Sequence, residues 1–426
     1  MPSSAAAVFG CALLAFALCC SAQTYPLPYC SANSSVAPSN PWLKSTFDTD
    51  EYSLALVQLI FRHGDRVPVV GLPGAGNEAE WTCQLSMVDK PATGSADEGY
   101  LDEPRLFRFT QLENRGVLPG NCSLGQLTEK GHVQHNIIGS HFRELYHDTY
   151  GFIPSEYNSR DVWVRAINIP RCRQSAQSEI QGIFPNVYER GPVYEAVPIH
   201  TMDPNYENMS PNFAACPNLL KRIAEQQQSQ AWADFRADTK GLTSHILSLL
   251  HLESESAIGS TQYPFFIGST FDQVVDAGTW TVNHWLFNET MASISVGTFF
   301  GELLTAMEDV MSAGSAYDGP ILRLYGGQDL TIGPLLNCLG AYNGAWPPYA
   351  AHLSMELLVN NAGDYFVHLL YNGDEIVVPG CSAICPWSKF ISLVGHNALT
   401  PAQYATMCGA AGPQGPWSPI NAAMYM

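Results

Sequence analysis

The stretch YSLALVQLIF, residues 52–61, restricts the fold more than any other. A run that is apolar on both faces and rich in branched side chains forms a stable strand only where both faces are covered. Such strands belong to parallel sheets flanked by helices. The run then breaks into Arg62-His63-Gly64-Asp65-Arg66, a cluster of cations around one imidazole at the end of a buried strand.

The rest of the chain repeats the strand-then-helix rhythm. LTEKGHVQHNIIGSHFRELYHDTYG reads as a helix with Thr128 as N-cap and Val133, Ile137, Ile138, Phe142 and Leu145 on one stripe. DVWVRAINI is a second buried strand, ending near Arg165 and followed by a helix that Pro170 opens. The pattern resumes with the helix SVGTFFGELLTAMEDVMSAG and the strand PILRLYGG. That strand runs into Gln328-Asp329 and a helix from Thr331, and LSMELLV and DYFVHLLYN read as an antiparallel pair. The fold class this predicts is α/β, a doubly wound mixed sheet with helices on both faces.

Domain organisation follows from where the rhythm breaks. Residues 1–22 lack any charged side chain, carry an apolar stretch and end in small residues, which predicts a signal peptide. Residues 23–50 are a Pro/Ser/Asn-rich lead, 51–184 and 291–410 the α/β core, 185–290 an inserted, mainly helical cap, and 411–426 a tail. No later apolar run is long enough to span a bilayer, so no membrane span is expected after signal cleavage. Nine of the 12 cysteines lie beyond the signal segment, and sequons begin at Asn33, Asn121, Asn208 and Asn288, both consistent with a secretory route, secreted or lysosomal. The formal charge of −19 argues against nucleic acid as a partner and means that an anionic substrate must be captured by a locally cationic pocket.

Three strand ends, at Arg62-His63, Arg165 and Gln328-Asp329, deliver charged or polar groups where open α/β sheets bind ligands. Arginine forks suit tetrahedral oxyanions, an imidazole among cations stays neutral and nucleophilic in mild acid, and Gly64 lets backbone approach a ligand. A carboxyl group at Asp329 would protonate a leaving alcohol and then activate water. The chemistry expected is phosphoryl transfer to histidine followed by hydrolysis, with no metal or cofactor. The competing reading makes the arginines structural ion pairs and His63 a hydrogen-bonded core histidine. His132, His135 and His141 lack an acidic ligand among them and are expected on an exposed helix face.

Arg62-His63-Gly64-Asp65-Arg66-Val67-Pro68 resembles the R-H-G-x-R-x-P signature of the histidine acid phosphatases, in branch 2 of the histidine phosphatase superfamily. GQLTEKGHVQH is similar to their G-Q-L-T-x-x-G segment, and VWVRAINIPRCRQSAQ to V-R-S-T-D-x-x-R-T-x-x-S. YGGQDLTIGPLLNCLGAYNGAWPPYA is similar to Y-S-A-H-D-T-T and N-G-x-x-P-P-Y-A, and VPGCSAICPW to P-G-C-x-x-x-C-P. The resemblance covers most of residues 50–410 and implies a phosphoglycerate mutase-like core acting on phosphomonoesters, and it allows a homodimer. Carried over by position, it makes His63 the phosphorylated nucleophile, Asp329 the proton donor, and Arg62, Arg66 and Arg165 the phosphate clamp. It pairs Cys381 with Cys385 and Cys216 with Cys408, with Cys83–Cys122 expected in place of an absent family disulfide. Two positions depart from the family pattern. Gln328 stands for its phosphate-binding histidine and can still donate through its amide, and Asn168 stands for the carboxylate expected to support Arg165. A ligand-binding relative with impaired catalysis, or a phosphatase narrowed to inositol phosphates or lysophospholipids, are the alternative readings.

Overall fold

The computed structural model describes residues 47–67, 83, 88–89, 107–108, 122–185, 197–241 and 269–409. The predicted signal peptide, most of the lead, Cys30, Asn33, Asn121 and the tail lie outside the described residues, as does most of the segment 68–121.

The main sheet holds eight strands: β1 (Tyr52–Arg62), β2 (Val162–Ala166), β3 (Ile199–His200), β4 (Leu322–Gly327), β5 (His352–Asn360), β6 (Tyr365–Tyr371), β7 (Asp374–Glu375) and β8 (Cys385–Pro386). Their spatial order is β8-β6-β5-β1-β4-β2-β3, with β7 on β6. β1, β4, β2 and β3 run parallel, while β5 joins β1 antiparallel and the remainder continue antiparallel. This is the mixed, two-sided α/β sheet that the strand patterns imply.

Alternation along β1 explains why the strand is apolar throughout. Val57, Leu59 and Phe61 pack under α1 (Glu129–Arg143) and α2 (Pro170–Ile183), while Leu56 and Ile60 face α6 (Glu289–Ala313) and α7 (Asp329–Cys338). Gln58 is buried on that second face, where its amide donates to Leu303 O at 3.0 Å and accepts from the Tyr325 hydroxyl at 3.2 Å. Thr128 caps α1 by accepting from Gly131 N, as expected. α1 and α2 cross closely enough that a Cβ at Gly139 or Gly182 would strike the facing backbone, at Glu179 O and Asn136 O respectively.

Three elements differ from the sequence expectation. Val133 is 53% exposed and lies off the buried stripe, which runs instead through Gln134, His135, Ile138 and Phe142. α7 begins at Asp329, because the Gln328 N–H bonds to Thr331 Oγ1 and starts the helix two residues early. His135 is fully buried, with Nδ1 bonded to Glu179 Oε2, and His132 Nδ1 meets Ser178 Oγ at 2.8 Å, so the histidines of α1 do not form an exposed face. The sequence could not show this, because the residues that cover the face come from α2.

α3 (Pro217–Gln226), α4 (Gln230–Asp238) and α5 (Ser269–Trp285) share a separate apolar cluster that includes Trp232, Trp285, Phe287 and Met291. The chain closes with α8 (Trp387–Val394) and α9 (Pro401–Cys408). All three expected disulfides are present, Cys83–Cys122, Cys216–Cys408 and Cys381–Cys385, and Cys172 and Cys338 are buried thiols. Among the described residues no helix is long and apolar enough to cross a membrane.

Candidate active site

β1 and β4 are parallel neighbours with Arg62 opposite Gly327, so the residues just beyond their ends meet. The His63 N–H donates to Gly327 O at 3.0 Å, which sets His63 beside Gln328 and Asp329. The loop leaving β1 is tied down on every side. Gly64 N donates to Ser175 Oγ at 3.1 Å, Asp65 N to Gln134 Oε1 at 2.7 Å, and the Thr128 hydroxyl to Asp65 Oδ2 at 2.6 Å. Ala350 N donates to His63 O, and Arg62 N to Ala351 O. Gly64 itself is required by close approach, since a Cβ there would lie 2.5 Å from Gly131 O.

His63 is buried, and its Nδ1 lies 2.8 Å from Gly64 O. Because a carbonyl only accepts, this bond places the proton on Nδ1 and leaves the lone pair on Nε2. Burial above all, and then the charges of Arg171, Arg62 and Arg66, push the His63 pKa well below 6.5. The ring is therefore held neutral in mild acid.

The cations are distributed differently from the expected clamp. Arg62 Nη2 bonds Asp329 Oδ2 at 2.9 Å, and its Nη1 donates to Pro347 O at 2.6 Å. Arg66 Nη1 donates to its neighbour Val67 O at 3.0 Å. Arg165 does not join them. Its Nη1 donates to Glu302 Oε2 at 2.8 Å, and its Nη2 to Glu207 Oε1 at 2.9 Å and Asn208 Oδ1 at 2.7 Å. The expectation that Arg165 forms part of the clamp is corrected, because both terminal nitrogens of its guanidinium are spent on carboxylates away from His63. The role expected of position 168 changes with it, since Asn168 accepts from Arg173.

Arg171, in the first turn of α2, takes the third place. It is 5% exposed, bears directly on His63 and donates through Nη2 to Gln328 Oε1 at 3.2 Å. Burial, with Arg66 beside it, lowers its pKa to about 10, so it remains a cation. Its signal was in the sequence, as the second arginine of VRAINIPRCRQS, aligned with the second arginine of the family stretch. With Oε1 of Gln328 accepting from Arg171, the NH2 is the end of the amide left to donate. The buried Nε atoms of Arg62, Arg66 and Arg171 have no hydrogen-bond partner, a concentration of donor capacity around one imidazole. Asp329 opens α7, and its Oδ1 accepts from Leu330 N at 2.8 Å. Among the described residues no group of three or more His, Cys, Asp or Glu is arranged to hold a metal ion.

Residues 53–251 match the model of the histidine phosphatase superfamily, branch 2. The chain is 31% identical to counting factor 60 of Dictyostelium discoideum, over 85% of this chain and 90% of that protein. It is 27% identical to lysophosphatidic acid phosphatase type 6 of Bos taurus, over 90% and 94% of the two chains. Among solved structures, the apo form of Hafnia alvei phytase superposes with a TM-score of 0.52 at 15% identity, covering 83% of this chain and 98% of that one, a likeness of fold. On its motifs, its fold and these relatives, the chain belongs to branch 2 of the histidine phosphatase superfamily, as a histidine acid phosphatase.

Proposed function

We propose that this phosphatase works through a phosphohistidine on His63 Nε2, gripped by Arg62, Arg66 and Arg171. The observation that carries this reading is the hydrogen bond from His63 Nδ1 to Gly64 O, which leaves a neutral Nε2 among buried guanidiniums. In the first step Nε2 attacks phosphorus and the bond to the leaving oxygen breaks. Asp329 is the group that passes a proton to that oxygen. In the second step the Asp329 carboxylate takes a proton from water, the resulting oxygen attacks phosphorus and the P–N bond breaks. The products are inorganic phosphate and free His63. Gln328 contributes an amide hydrogen bond to a phosphate oxygen in place of an imidazolium.

The residues 185–290 act as a cap that sets access, so the identity of the alcohol is decided there. The three disulfides support an oxidising compartment, hence the secretory pathway. Of the two sequon asparagines described, Asn288 caps α6, whereas a glycan on Asn208 would have to displace its bonds to Arg165 and Glu302.

Full-length protein assayed with an aryl phosphate from about pH 4 to about pH 7 tests the reading. Turnover far above that of a His63→Ala control is expected. Turnover equal to the control would leave only a phosphate-binding relative.

A further inference from the structure

The site gathers three buried guanidiniums, and among the described residues the only ion pair any of them makes is Arg62 with Asp329. Like charges in a desolvated space repel, so something other than that one carboxylate must hold them together before phosphate arrives. Tyr349 occupies the position to do so. It is 1% exposed, with its ring under Arg62, whose Cζ lies 4.1 Å from the ring centroid. Arg66 Cζ lies 5.8 Å from the same centroid and the His63 ring 5.6 Å from it. An aromatic face carries negative charge density and attracts a desolvated guanidinium.

The backbone around Tyr349 is built to keep the ring there. Ala350 has φ 59°, a left-handed conformation that is rare for alanine, and it is completely buried. The turn persists because both sides fix it. Ala351 N donates to Pro348 O, Ala350 N to His63 O, and Pro347 O accepts from Arg62 Nη1. The segment from Pro347 to Ala351 thus touches the nucleophile's backbone, the Arg62 backbone and the Arg62 side chain.

We propose that Tyr349 is a positioning residue for phosphate capture, its ring face being the surface on which Arg62 and Arg66 are held. The residue acts through the arginines and does not touch the reacting atoms. The proposal rests on the site reading given above, but it concerns binding and is tested without turnover.

Inorganic phosphate is titrated calorimetrically into the full-length wild type, Tyr349→Phe, Tyr349→Leu, and variants with mono- and trifluorinated phenylalanine at position 349. The fluorinated rings keep the volume of phenylalanine and progressively drain its face, so folding is preserved while the attraction weakens. Phosphate affinity is expected within about twofold of wild type for Tyr349→Phe, falling stepwise with fluorination to about tenfold weaker, with Tyr349→Leu at least as weak. Affinity that is flat across the fluorinated series would overturn the proposal, as would a loss in Tyr349→Phe as large as in Tyr349→Leu. A wild type that binds phosphate but turns over no faster than His63→Ala would instead sink the phosphatase reading and leave this one standing.

Discussion

At the scale of single residues, Arg165 and Arg171 separate what the sequence could and could not reveal. Arg165→Met should leave the buried Glu207 without its cation and destabilise the fold by about 3–5 kcal/mol, read by urea unfolding. Arg171→Gln should instead leave stability closer to wild type and weaken turnover. It should also move the acid limb of kcat/KM upward, because one of the charges that holds His63 neutral is gone. An unmoved limb would show that Arg171 does not act on His63. The position of His63 was legible because it directly follows β1 in one unbroken run of sequence. Arg165 misled because a strand end seen in sequence has no register. Arg62 pairs with Gly327 but Arg165 with Tyr325, two residues short of that edge and so roughly 6–7 Å behind it. Gln328 presents a milder case. Gln328→His should tighten phosphate inhibition if the amide is the weak member of the clamp, and unchanged inhibition would make the position dispensable.

At the scale of elements, the site depends on how closely α1 and α2 approach each other, since Gln134 and Thr128 belong to one side of that contact and Ser175 and Arg171 to the other. Gly182→Ala should force the helices apart and cost about 1–3 kcal/mol in urea unfolding. It should lower kcat in the fraction that stays folded, because Ser175 would draw away from Gly64. A loss of stability with kcat intact would mean that the loop is held by β1 and β4 alone. The strands and the N-cap of α1 were readable from periodicity and capping chemistry. The burial of His135 against Glu179 was not, because a face polar in sequence becomes interior only when a second polar face is laid on it.

At the scale of the whole molecule, acid acts on several buried rings together. His352 and His132 have pKa values pushed down to about 4 by burial, and His63 is shifted the same way. A histidine whose folded pKa lies below its free value takes up its proton more readily when unfolded, so the stability it leaves intact above pH 6.5 is lost as pH falls toward the folded pKa. Melting temperature should therefore drop from about pH 6.5 to about pH 4, and less steeply in His352→Gln, as followed by calorimetry. The net charge of −19 works in the other direction on encounter rates. Near neutral pH, added salt should raise kcat/KM for an anionic substrate by screening the surface while the buried arginines are little affected.

His63 and Asp329 lie far apart along the chain, yet they are brought together by adjacent strands and one backbone hydrogen bond, His63 N to Gly327 O. Because the sheet sets that meeting point, a change in the length of the chain between the two strands is expected to leave it unaltered. The imidazole and the carboxyl thus belong to one unit of the sheet, and how they face each other is set there rather than by the length of chain that joins them.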